Sequence, residues 1–171
     1  ADTALSITNS ALAVKSDDES VSTLDMARID LFTGSAVIFK AGAAASYHTF
    51  SGRVRTVEIP STPLGILSRA SFSKYDFRLR GGDLLVMVSD GVLGNGTGWI
   101  SDEIRSADGL SDPQTLSELI LNTARHKCGK TYDDIQTLTI EEDTDISDPV
   151  KAGNVFMVGD VKQSIYGFRN A

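Results

Sequence analysis

Gly82-Asp83-Leu84-Leu85-Val86-Met87-Val88-Ser89-Asp90-Gly91 is an apolar run without proline, opened by Gly-Asp and closed by Ser-Asp-Gly. A run of this kind reads as a buried strand that ends on a carboxylate, Asp90. A carboxylate at the end of a buried strand is costly to desolvate unless a cation neutralises it. Gly91 lets the backbone turn sharply beside it. Hard divalent cations prefer carboxylate oxygens, so a metal ion is one answer. A solvated Asp-Gly turn is the other, and the spacing leaves both open.

The surrounding sequence places that strand in a pattern. Upstream, Thr3–Lys15 reads as a helix with Leu5, Ile7, Ala11, Leu12 and Val14 as a rough apolar face. Val21–Asp30 and Ala36–Lys40 read as a hairpin around the turn Leu31–Ser35. Tyr47–Phe50 and Arg53–Ile59 read as a second hairpin around Ser51-Gly52, and Pro60–Leu67 as a loop. Ser71–Leu79 alternates apolar and polar residues and leads through Gly81-Gly82 into the buried strand. Downstream, Ile100–Ser106 and Asp112–Lys127 read as helices, the second with Pro113 in its first turn. A short β-like run, Ile135–Ile140, follows Asp133-Asp134. Strands joined by hairpins, then helices, then a last strand predict an α+β layered domain. Residues 142–152 are acidic and read as a linker between residues 1–141 and a tail at 153–171.

Composition excludes several classes. With 171 residues and 41% hydrophobic content, the chain can bury a core and is not disordered throughout. A net charge of −7 argues against nucleic-acid or anionic-membrane binding by bulk electrostatics. A single cysteine, Cys128, forms no disulfide framework, and two histidines make a histidine-built zinc site improbable. No apolar run reaches the ~18 residues of a membrane span, and no leader is read at the N-terminus, so a cytoplasmic protein is expected. Other residues carry less. His48 reads as a surface or hairpin histidine, Trp99 as a small-cluster core anchor, and Arg53 and Arg55 as solvated charge. Arg125-His126-Lys127 suits the C-terminal end of a helix.

Several blocks in order resemble one family. They are Asn9–Leu12, Ser22–Ala27, Asp30–Gly34, Lys40–Ser46, Thr62–Leu67, Gly82–Val92 and Asp133-Asp134-Ile135. Together they resemble the metal-dependent protein phosphatases, protein phosphatase 2C, in the branch of the stage II sporulation protein E phosphatase. The resemblance implies a β-sandwich flanked by helices and two manganese or magnesium ions at one end. Those ions activate a water that attacks a phosphoserine in line. It makes Asp90 and Asp133 metal ligands, with Gly91 and Asp134 supporting them from behind. In the family, other ligands lie on strands ahead of the helix that opens this chain. The expectation is therefore a domain lacking its N-terminal strands, with an incomplete site and exposed strand edges that a homodimer could pair. The implied partner is a phosphoserine protein of the anti-sigma-factor antagonist type. A catalytically inactive remnant acting as a protein-interaction module is the alternative.

The tail carries a second resemblance. Residues 153–171, Gly153-Asn154-Val155-Phe156-Met157-Val158-Gly159-Asp160 through Phe168-Arg169-Asn170-Ala171, resemble motif III of superfamily 1 helicases, as in the ATP-dependent helicase/nucleases. That family implies Gln163 as a γ-phosphate sensor, with Tyr166 and Phe168 stacking on single-stranded DNA. No phosphate loop accompanies them, so a helicase fragment is the weaker reading. As plain sequence, Val155–Val158 is one apolar strand. Asp133-Asp134-Ile135-Gln136 could imitate another helicase motif, but Thr137 stands where that motif has Asp.

Overall fold

The computed structural model describes residues 2–14, 22–67, 72–93, 96–107, 113–128, 137–141 and 154–158. Its elements are α1 (Asp2–Val14), β1 (Leu24–Ile29), β2 (Ser35–Ala41), β3 (Ser46–Phe50), β4 (Arg53–Val57) and β5 (Ser73–Arg78). They continue with β6 (Leu84–Val88), a 3-10 turn (Asp90–Leu93), α2 (Gly98–Ser106), α3 (Pro113–Cys128), β7 (Thr137–Glu141) and β8 (Asn154–Val158). The chain divides into two compact units. The first is Ala1–Ala44 with Glu58–Arg78, and the second is Ala45–Val57 with Leu79–Ala171.

The first unit holds an antiparallel sheet of order β1-β2-β5. Its hairpin turn is set by Asp30, whose Oδ1 accepts the N–H of Phe32 at 2.9 Å and of Thr33 at 3.3 Å. The Phe32 N–H holds the Asp30 carboxyl below its ordinary value. β2 is the middle strand, and Ala36 through Ala41 are all buried. Val37 and Phe39 form one face and pack with Leu5 of α1 and with Leu24, Met26 and Phe72. Ala36, Ile38 and Lys40 form the other face.

α1 buries a different stripe from the one its apolar residues predict. Leu5 and Asn9 are buried and Leu12 and Ala13 half-buried, while Ile7 is 65% and Val14 87% exposed. Positions 5, 9, 12 and 13 share one face of a 3.6-residue period, and 7 and 14 do not. The polar Asn9 is tolerated inside because both ends of its amide are hydrogen-bonded. Its Nδ2 donates to the Leu67 carbonyl at 2.9 Å, and its Oδ1 accepts the Gly65 N–H at 3.1 Å.

The second unit holds an antiparallel sheet of order β4-β3-β6-β7-β8. β6 is the predicted buried strand, with Leu85 through Val88 all buried. Tyr47, Val86 and Val88 form a core with Ile100 and Ile104 of α2 and Leu116, Ile120, Leu121 and Ala124 of α3. The spacing 116, 120, 124 is a single stripe along α3, which is why that helix lies flat on the sheet. α2 rests on β4, and α3 rests on β7 and β8. Antiparallel sheets with segregated helices are the α+β arrangement that the order of elements predicts. The apolar run at 155–158 extends to a five-residue strand that pairs with β7.

Candidate metal-binding end of the five-stranded sheet

Asp90 sits where β6 has ended and the 3-10 turn begins. Two buried side chains fix that position from either side, Val88 in the strand and Val92 in the turn. Both belong to the core beneath α2 and α3, so the turn between them has little freedom to drift. The Val92 N–H donates to the Ser89 carbonyl at 3.1 Å, closing the turn. The Gly91 N–H donates to Asp90 Oδ1 at 3.0 Å and orients the carboxylate.

The carboxylate itself is exposed. Contrary to the expectation from the sequence, Asp90 carries no large desolvation cost for a cation to offset, because the buried strand stops at Val88 and the turn lifts Asp90 into solvent. An exposed carboxylate with one oxygen oriented by a backbone N–H still suits a hard cation.

The register brings a second stretch of chain to the same end of the sheet. Val88, the last residue of β6, pairs with Thr137, the first residue of β7. The strands are antiparallel, so the chain leaving β6 toward Asp90 and the chain entering β7 from Asp133-Asp134 meet the sheet at one end. Asp133 and Asp134 lie outside the described residues, as do Gln163, Tyr166 and Phe168. Among the described residues, no three His, Cys, Asp or Glu side chains cluster to hold an ion.

Two groups hold this end: the contact of Tyr47 was not visible in the sequence, while Trp99 is the core anchor its sequence reading expects. Tyr47 is fully buried, and its hydroxyl donates to the Thr97 carbonyl at 3.0 Å, tying β3 to the start of α2. Trp99 packs on the same core, with Lys127 Nζ 5.7 Å from its ring centroid. A buried tyrosine needs a partner for its hydroxyl, and that is the signal that could have flagged Tyr47.

His48 lies in the β3–β4 hairpin, as one half of its sequence reading expects, but not on the surface. It is only 4% exposed, within β3, beside the Phe50 ring at 5.5 Å between centroids. Burial pushes its imidazole below its ordinary value; Asp83 opposes that shift and Arg55 adds to it. In register it faces Leu85, near the start of β6, and Asp90 follows the other end of that strand. Arg53 and Arg55 are exposed on β4, as solvated charge should be.

Solved structures share this fold. The phosphatase domain of the cell fate determinant SpoIIE from Bacillus subtilis superposes with a TM-score of 0.62 at 30% identity, covering 84% of this chain and 65% of that one. A manganese-presoaked form of that domain gives 0.62 at 28% identity, covering 83% and 65%. PppA, a regulatory component of T6SS in Pseudomonas aeruginosa, gives 0.66 at 17% identity, covering 80% of this chain and 66% of that one; the likeness there is one of fold. The fold is thus that of the protein phosphatase 2C domain, a class of metal-dependent hydrolases. The family described as "Stage II sporulation protein E (SpoIIE)" matches residues 1–142, and the chain belongs to it. Stage II sporulation protein E of Bacillus subtilis (strain 168) is 29% identical over 147 residues, 82% of this chain and 18% of that protein. Its counterpart in Priestia megaterium is 31% identical over 134 residues, 74% of this chain and 23% of that protein. The chain spans about a fifth of the length of these curated relatives.

Proposed function

We propose that this chain is the catalytic part of a metal-dependent protein serine phosphatase, and that Asp90 and Asp133 hold manganese or magnesium. The observation that carries this reading is the β6–β7 register, with Val88 opposite Thr137. It brings the Ser89-Asp90-Gly91 turn and the run after Asp133-Asp134 to one end of the sheet. Two carboxylates from adjacent strands are the start of an oxygen-ligand site for a hard cation. Ions bound there would supply an activated water and charge stabilisation at the leaving oxygen. The chain's own part is to orient Asp90 through the Gly91 N–H and to keep the turn fixed through Val92. Asp134 would support Asp133 from behind.

The substrate we assign is a phosphoserine protein of the anti-sigma-factor antagonist type, in the cytoplasm of a sporulating bacterium. Family membership supports this choice. A second reading is a protein-interaction module without turnover: Asp90 is exposed, and among the described residues it stands in no cluster of three possible metal ligands.

Calorimetric titration with manganese, run beside hydrolysis of p-nitrophenyl phosphate on the same sample, tests the proposal. Manganese-dependent turnover that disappears in Asp90→Asn and in Asp133→Asn is the expected result. Turnover that survives both substitutions would sink the ligand assignment. Absence of turnover at every manganese concentration, with phosphoprotein binding retained, would establish the interaction module instead.

A further inference from the structure

The family match ends at residue 142, one residue after β7, yet the sheet does not end there. β8 lies antiparallel along the outer edge of β7 in a continuous register, from Thr137↔Val158 to Glu141↔Asn154. α3 covers β7 and β8 together. An edge strand offers a row of unpaired N–H and C=O groups, which any extended segment can satisfy. Main-chain bonds made in this way give affinity with little dependence on side chains.

The sequence of β8 suits that role. Asn154-Val155-Phe156-Met157-Val158 is uncharged, free of proline and rich in strand formers, and it stands between Lys151 and Asp160. Such a window is a strong strand donor flanked by charged gatekeepers. The linker suits it too. Residues 142–153 number 12 and include Glu142, Asp143, Asp145, Asp148 and Pro149, with Ile146 and Val150 as their two large apolar residues, a composition too polar to build a core of its own. Twelve residues reach about 40 Å, well over the roughly 17 Å needed to return along a five-residue strand. A tether this long lets the donor dock on its own chain without strain.

We infer that the outer edge of β7 is a docking site for an extended apolar strand, filled in cis by residues 154–158 as a detachable cap. The phosphatase-like region then carries an acceptor edge that runs from Thr137, at the end of the sheet where Asp90 follows β6, to Glu141 at the opposite end. A peptide of the chain's own residues 152–160 is the ligand that should enter it when the cap is released.

Phe156→Pro combined with Met157→Pro releases the cap in the full chain. Neighbouring residues of a strand point their N–H groups in opposite directions, so this pair removes one ladder donor whichever set faces β7. The first measurement is hydrogen exchange of the β7 amides in the unaltered chain. All are expected to be protected, whereas exchange of alternate amides as in an open edge overturns the inference, independently of any variant. The second is binding of the labelled 152–160 peptide. Binding to the double-proline variant, with β7 protection restored by about tenfold or more, and none to the unaltered chain, is expected. Equal binding to both chains, or none to a folded variant, overturns it. A variant that associates with itself, with peptide dissolving the association, also supports an open acceptor edge.

Discussion

Lys40 carries an ammonium group to a place fully closed to water, and the structure shows how that is tolerated. Its cross-strand neighbour in register is Asp25, whose Oδ2 lies 2.7 Å from Lys40 Nζ, and a second bond of 2.6 Å goes to the Ala44 carbonyl. Removing one member of such a pair strands the other, at a cost of about 3–5 kcal/mol. Urea denaturation should show that loss in Lys40→Met, with part of it regained in Lys40→Met/Asp25→Asn. Equal stability of the single and double variants would mean the two groups are uncoupled. His48 sets an acid limit. Its neutral form is favoured in the folded state, so stability is full above the ordinary value of 6.5 and falls as pH drops through the lowered folded value. His48→Gln should flatten that decline in a pH series of melting curves, while an unchanged slope would assign it to other groups. Gly42, at φ +62°, has Pro63 Cγ 2.5 Å from where a Cβ would stand. Gly42→Ala should cost roughly 1–3 kcal/mol, measurable in the same titration.

At the scale of elements, the strands and hairpins were legible because alternation and turn residues carry them. Asp30 and Gly34 mark the β1–β2 turn, and Ser51-Gly52 the β3–β4 turn. β6 was legible from its apolar run alone. What the sequence hid were choices made by tertiary partners. The apolar Ile7 and Val14 point away from the buried face of α1, and the polar Asn9 points into it, because Gly65 and Leu67 offer its amide two backbone partners. Asn9→Leu should therefore destabilise despite adding an apolar side chain, since it leaves a donor and an acceptor of the loop unsatisfied. A gain in melting temperature would contradict that account. The candidate site was legible as Asp90 and its Ser-Asp-Gly frame. Its tuning was not, for exposure at the end of a strand depends on where the turn lifts the chain, and Tyr47 reaches Thr97 across 50 positions of sequence. Tyr47→Phe should cost about 1 kcal/mol and loosen the start of α2, visible as faster amide exchange at residues 98–100.

For the whole molecule, the arrangement of the two units along the chain has a consequence for synthesis. The second unit opens with the β3–β4 hairpin at Ala45–Val57, but the strand that pairs with β3 on its other side, β6, ends only at Val88. Residues 58–78, which belong to the first unit, are made in between. At about 5–20 residues per second, the nascent hairpin waits for roughly 2–6 s with one edge of β3 open. Slowing translation with synonymous codons while the hairpin is outside the ribosome and β6 is still inside should lower the yield of soluble chain. The same slowing imposed after β6 has emerged should leave it unchanged.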